Sequence, residues 1–171
     1  MSDVYVRELS FSDLSTINKW RNCKDNIDFL GSNFRYVDVE VDNRWFESYQ
    51  NNRSNNVRLS ICCKSTDKVI GLVYLLNIDW VNRSTEFAIW LGDEISRGKG
   101  IGKYVATLAL EHAFLDLNLH KVYLTVLVKN KAAIKLYKSL GFKEEGVLVD
   151  AIYKNGNYES MISMAILNKR N

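Results

Sequence analysis

The chain of 171 residues contains no proline, only two histidines and only three cysteines. Cys23, Cys62 and Cys63 are odd in number, and two are adjacent. That excludes a disulfide framework and gives no zinc-ligand spacing. On a strand, Cys62 and Cys63 face opposite ways, so at least one of them reads as a small core residue. No apolar run reaches transmembrane length, and the Met1-Ser2-Asp3-Val4 start carries no signal-peptide pattern. No membrane partner is expected, and a cytoplasmic location is the default. The net charge of +3 is small, and the basic residues are scattered. A nucleic-acid partner is therefore not expected either. Nothing suggests a bound metal.

What the chain does have is ordinary globular composition, 47% hydrophobic and 25% charged, at a length that suits one domain over residues 1–171. The most informative stretch is Arg97-Gly98-Lys99-Gly100-Ile101-Gly102-Lys103. It packs three of the nine glycines into five positions, among three cations. An apolar, β-rich run precedes it and a helical run follows. Glycine lets backbone N–H groups approach an anion closely, and a helix N-terminus adds donors and partial positive charge. This is the composition of a pyrophosphate cradle. The stretch fits neither G-x-x-x-x-G-K-[ST] nor G-x-G-x-x-G. It fits Arg-x-x-Gly-x-Gly.

The element order reads β-α-α-β-β-β-α-β-α-β-β. Val4 to Leu9 is a strand. Ser12-Asp13 caps a helix with Leu14, Ile17 and Trp20 on one side. Residues 22–40 are polar and irregular, and a helix covers Asp42 to Gln50. A hairpin joins 57–64 to 68–78, and Thr85 to Leu91 is the next strand. After the glycines, Ile101, Val105, Leu108, His112 and Leu115 mark a helix over 101–117 packed on a sheet, with His112 as a satisfied core residue. Lys121 to Val128 alternates as a strand, with His120 beside it in a structural role. Asn130 caps a helix running to Leu140, with Gly141 suited to its C′ position. Asn155-Gly156 joins the last two strands. The fold class is α+β, one domain around a mixed sheet.

Arg97-x-x-Gly100-x-Gly102 followed by Asn130-x-x-Ala133-x-x-x-Tyr137-x-x-x-Gly141-Phe142 resembles the GNAT superfamily of acyl-CoA-dependent N-acetyltransferases. The segments Asn82 to Phe87, Leu119 to Leu124, Leu140 to Gly146 and Asn155-Gly156-x-Tyr158 are similar to its branch of ribosomal-protein N-terminal and spermidine acetyltransferases. The resemblance implies a mostly antiparallel mixed sheet with a splayed central strand pair, flanking helices, and acetyl-CoA as co-substrate. It implies that Ile89, Trp90 and Leu91 offer backbone to the pantetheine arm. It implies that Arg97, Gly98, Lys99, Gly100, Ile101, Gly102 and Lys103 hold the pyrophosphate, and that Asn130, Lys131, Ala133 and Tyr137 flank the cofactor. A homodimer follows only as a family habit.

Tyr137 is then the candidate general acid. A phenol titrates near ~10 and a thiol near ~8.5, so full proton transfer is uphill by roughly 2 kcal/mol. The hydroxyl is better placed to donate a hydrogen bond as charge grows on sulfur. Glu86 is the candidate base, acting through water, or a binder of the ammonium, or a strand surface charge. The acceptor is read as a small-molecule primary amine, a polyamine such as spermidine or an amino sugar. The alternatives are a protein N-terminus, or acyl-CoA binding without turnover. Asp25, Asp28, Asp38, Glu40, Asp42 and Glu47 form an excess that suits a cation. Asn77 stands where polyamine enzymes of the branch carry a further carboxylate, which counts against a polyamine. Trp20-Arg21-Asn22 resembles a signature of amino-sugar acetyltransferases.

Overall fold

A computed structural model describes residues 3–93 and 98–169. Seven strands form one mixed sheet in the order β1-β2-β3-β4-β5-β7-β6. They are β1 Val4–Glu8, β2 Val57–Cys63, β3 Val69–Asp79, β4 Ser84–Leu91, β5 Lys121–Leu127, β6 Lys143–Lys154 and β7 Asn157–Leu167. Every neighbouring pair is antiparallel except β4 and β5. The expected α+β class holds, and so does the element order except for one additional helix between the two expected before β2.

The parallel pair is short. Ser84, Thr85 and Glu86 pair with Lys121, Val122 and Tyr123, and the ladder stops there. Beyond Glu86, β4 continues to Leu91 against β3 alone, and β5 continues to Leu127 against β7 alone. The central pair is therefore splayed. The gap opens toward the C-terminal ends of both strands.

The helices are α1 Leu14–Arg21, α2 Lys24–Asp28, α3 Val39–Asn51, α4 Ile101–Glu111 and α5 Lys131–Ser139. Alternation along β4 divides them between the two faces. Phe87, Ile89 and Leu91 pack with Val105, Ala109, Ile134 and Tyr137 of α4 and α5. Trp90 packs with Leu72, Tyr74 and residues of α1 and α3, and Glu86 shares its face by alternation.

Several local expectations need correction. The region 22–40 is not wholly irregular, because α2 lies inside it. Its sequence Lys-Asp-Asn-Ile-Asp has one apolar residue and so no period, and tertiary contacts hold it. α3 begins at Val39, capped by Asp38, whose carboxylate accepts from the Glu40 amide at 2.9 Å. Val39 and Val41 are exposed, so the apolar stripe started a turn late. Asp13 does stand at the N-terminus of α1, but its carboxylate turns back to the Ser10 amide, Ser60 and Arg7.

The buried stripe of α4 is Val105, Ala106, Ala109 and Leu110, continuing to Ala113, and Leu115 is 55% exposed. The helix is rotated from the predicted face because the alanines let it sit close to the sheet. It widens into a π-helical turn over His112–Asp116. His112 is consequently not in the core; its Nδ1 lies 2.7 Å from Asp116 Oδ2, at the surface. His120 acts through its backbone, donating to the Arg83 carbonyl and accepting from the Asn168 amide. Cys62 is buried and Cys63 half-buried.

Candidate active site

A cleft of about 640 Å³ opens where β4 leaves β5. Glu86 to Leu91 form one wall and Thr125 to Leu127 another. Gly102 of α4, and Asn130, Ala132, Ala133 and Tyr137 of α5, line it. So do Leu72 and Tyr74 of β3, and Asp25, Asn26 and Phe29 to Ser32 from α2 and the loop after it.

Tyr137 reaches the cleft from the α5 side. Asn130 Oδ1 accepts from the Ala133 amide at 3.1 Å and fixes the start of the helix, as its sequence predicts. Tyr137 lies two turns on. Its ring meets Phe87 at 6.2 Å and Phe142 at 5.7 Å, edge-on and tilted respectively. The residue is 8% exposed, and burial pushes its pKa up to about 12. No described residue hydrogen-bonds its hydroxyl. At neutral pH it is a protonated phenol with an unused donor.

Glu86 reaches the cleft from the other face, at the last rung before the splay. Asn77 Nδ2 donates to its Oε2 at 3.2 Å. Asn77 lies at an irregularity in β3 with φ of 52°, which carries its side chain to Glu86 across the ladder. An acid and a base candidate thus approach one gap from opposite faces of the sheet.

The glycine stretch is only partly described; Arg97 lies outside the described residues. Gly98 and Gly100 have φ of 76° and 77°, in the left-handed region that side chains resist. A Cβ at either would meet nothing within 4 Å, so their conformation, not crowding, selects glycine. Gly100 is the N-cap of α4 and supplies no side chain to its first amides. The first helical bond comes from Tyr104, which leaves the amides of Ile101, Gly102 and Lys103 free to meet an anion. At Gly102 a Cβ would have only Leu136 at 3.5 Å, so the fold itself does not demand glycine there. The absence of a side chain leaves room for a ligand to pass close over this turn. The residues present therefore fit a pyrophosphate-bearing co-substrate.

Glu86, Ile89, Trp90, Leu91, Gly102, Asn130, Ala133 and Tyr137 come together on the lining as the sequence predicts. Gly98, Lys99, Gly100 and Lys103 sit exposed on the turn ahead of and into α4, and Ile101 half-buried at its start. Lys131 is exposed and is not part of the lining. Trp20, Arg21 and Asn22 are also not part of it. Trp20 packs edge-on against Trp90 at 5.7 Å. Arg21 pairs with the fully buried Asp42, and Asn22 takes both the amide and the carbonyl of Val37. Those three residues fasten the end of α1 to β4, to α3 and to the segment before α3 in turn, so the amino-sugar signature has a packing role here.

The acidic excess also disperses. Asp42 is buried with Arg21 and Asn18, Asp38 caps α3, and Asp28 faces Lys129 and Asn155. Asp25 alone of the six lines the cleft. Sequence reasoning singled out Asp25 but missed Asn26 and Phe29 to Ser32, whose signal was limited to a polar run with Gly31. It also missed Tyr74, whose pKa burial pushes up and whose ring Arg58 covers at 4.8 Å.

Comparison with known proteins agrees with this geometry. A family described as "Acetyltransferase (GNAT) domain" matches residues 3–143. The spermidine N(1)-acetyltransferase of Vibrio cholerae is 38% identical over 125 residues, 72% of this chain and 72% of that relative. The crystal structure of the Vibrio cholerae spermidine N-acetyltransferase with CoA and spermine superposes with a TM-score of 0.90. It is 30% identical, and the match covers 98% of this chain and 96% of that one. A dodecameric structure of the Vibrio cholerae enzyme in an intermediate state matches at 0.83 and 30% identity, over 98% and 95% of the two chains. A splayed parallel pair, a glycine turn at a helix start and a cleft between them define an acyl-CoA-dependent N-acyltransferase. The chain belongs to the GNAT acetyltransferase family, and it uses acetyl-CoA as co-substrate.

Proposed function

We propose that this enzyme acetylates a primary amine of a polyamine such as spermidine, by direct attack in a ternary complex. The observation that carries the reading is the cleft at the splay, with Tyr137 and Glu86 entering from opposite faces of the sheet. The name of the Vibrio cholerae relative, and the spermine bound in its crystal structure, support the substrate class. The lining matches it chemically. It is largely apolar, which suits a methylene chain, and its carboxylates are Glu86 and Asp25, which suit ammonium groups. Asn77 gives up a charge that a carboxylate would supply, but its amide orients Glu86.

When bound, acetyl-CoA supplies the activated thioester. Gly98 to Lys103 hold its pyrophosphate, mostly by backbone N–H, with Arg97 as a further candidate. Ile89 to Leu91 offer strand backbone left unpaired by the splay. Asn130 and Ala133 flank the arm. Lys131, being exposed, serves only at its rim.

Glu86, through water, accepts a proton from the acceptor ammonium. The free amine then attacks the acyl carbonyl, the carbon–sulfur bond breaks, and Tyr137 donates a hydrogen bond to the leaving sulfur. With the phenol at about 12 and a thiol near ~8.5, complete transfer from Tyr137 would be uphill by roughly 5 kcal/mol. The phenol therefore acts as a neutral donor, and the proton released by the amine finally resides on sulfur. The dodecamer formed by the Vibrio cholerae enzyme supports self-association here too. The exposed Val147, Leu148 and Val149 on edge strand β6 are available for it.

A thiol-release assay over spermidine, spermine, an amino sugar and an N-terminal peptide tests the reading. Polyamines are expected to turn over. Tyr137→Phe should lower kcat about a hundredfold or more, with acetyl-CoA affinity within twofold. Glu86→Gln should lower kcat/KM for the amine. Turnover of the peptide alone, or acetyl-CoA binding with no thiol released for any amine, would replace the proposal.

A further inference from the structure

The buried ammonium of Lys154 lies outside the cleft and is held by three backbone carbonyls. Lys154 ends β6 and is 6% exposed. Its Nζ donates to the carbonyls of Ile27, Leu30 and Ser32, each at 2.8 Å. An ammonium has three donors and no acceptor, so the three carbonyls use it fully. Burying a charge is costly unless it is met in this way. Conversely, three carbonyls converging on one point repel each other without a cation between them. The path of residues 27–32 therefore depends on this one group.

Most of that segment lies on the cleft wall. Phe29, Leu30, Gly31 and Ser32 all line the cleft, whereas Lys154 does not. Three further contacts hold the same segment: Asn155 Nδ2 donates to Asp28 Oδ1 at 2.6 Å, Asn130 Nδ2 donates to the Phe29 carbonyl at 3.2 Å, and Lys129 Nζ lies 3.7 Å from Asp28 Oδ1. The second contact comes from the residue that caps α5. The wall is thus fastened to the β6–β7 hairpin and to the start of the α5 helix, in addition to its own local helical bonds.

We propose that Lys154 is the positioning residue for the acceptor wall, setting amine affinity through residues 27–32 without touching either substrate. The wall shares the cleft lining with Glu86 and Asp25, the carboxylates assigned to the amine, so its effect falls on the amine. Assigning the wall to the acceptor rests on the polyamine reading above; that Lys154 holds the wall does not.

The test compares wild type with Lys154→Met, which keeps the stem and removes the donors, and Lys154→Gln, which keeps two. In Lys154→Met the KM for spermidine should rise about tenfold, with kcat changed less than threefold. Acetyl-CoA affinity should stay within twofold. Amide exchange should quicken in 27–34 and remain unchanged in β4 and α5. The glutamine variant should fall between, and it carries the comparison if Lys154→Met does not fold. An unchanged KM with unchanged exchange would overturn the proposal. So would parallel losses of acetyl-CoA affinity and of exchange protection throughout the sheet, which would make Lys154 a general stabiliser. If wild type leaves spermidine untouched, the polyamine reading fails. The KM for whichever amine is accepted, with the exchange pattern, then decides the role of Lys154.

Discussion

Asp13 is the carboxylate whose environment most clearly sets its charge. Burial alone would raise its pKa, but the Arg7 guanidinium, the Ser10 amide and the Ser60 hydroxyl together hold it below the usual range. The native state therefore binds its proton less readily than the unfolded chain does. Its contribution to stability is complete above the unfolded value near ~3.9 and is lost as the pH falls through the lower folded value. Asp13→Asn should lower the melting temperature at neutral pH and flatten the fall in stability below about pH 4. Urea melts of both forms at several pH values would show it. An acid limb unchanged by the substitution would mean that other carboxylates set it. Tyr137 behaves oppositely, with a pKa raised to about 12 by burial. No basic limb in kcat should come from its ionisation below about that pH.

At the scale of elements, legibility followed periodicity and turn chemistry. Asn130 announced α5, and Asn155-Gly156 announced its hairpin, with φ of 50° and 87° suited to a two-residue turn. Tyr137 and the glycine turn were readable because motif spacing fixes them within one strand–helix unit. α2 was not readable, because its stability comes from residues about 125 positions away. Lys154 and Asn155 supply the partners that its own sequence lacks. The stripe on α4 was misplaced by the same kind of cause, since small alanines rather than large residues face the sheet.

Gly102, on the first turn of α4, gives an element-scale prediction. Alanine fits the free protein and favours helix by about 0.5–1 kcal/mol. Gly102→Ala should therefore hold or raise the melting temperature. In the proposed cofactor site the same methyl would intrude on the pyrophosphate, so the KM for acetyl-CoA should rise about tenfold, roughly 1.4 kcal/mol. A higher melting point with unchanged KM would remove Gly102 from the cofactor site.

For the whole molecule, the splay leaves strand backbone without a partner strand over the second half of β4 and β5. A ligand that bridges the gap supplies some of those missing bonds. Coenzyme A at a hundredfold excess over its Kd should stabilise the fold by about 2.7 kcal/mol. That corresponds to a rise of about 5–10 °C in melting temperature for a chain of this size. A thermal scan without any shift at saturating coenzyme A would show that the gap is not where it binds.

The sheet is, in effect, two half-sheets. β1 to β4 form one and β5 to β7 the other, and a three-rung ladder joins them at one end. Leu127 at the end of β5 pairs with Met161, so the β6–β7 turn projects past the open end. There Lys154 and Asn155 grip α2, which belongs to the first half. The gap is thus welded at one end and latched at the other. Its two ends are held by different contacts, strand pairing at one and side-chain bonds at the other. A change in the latch, remote from thioester and amine alike, can therefore retune the spacing between donor and acceptor while leaving every catalytic side chain in place.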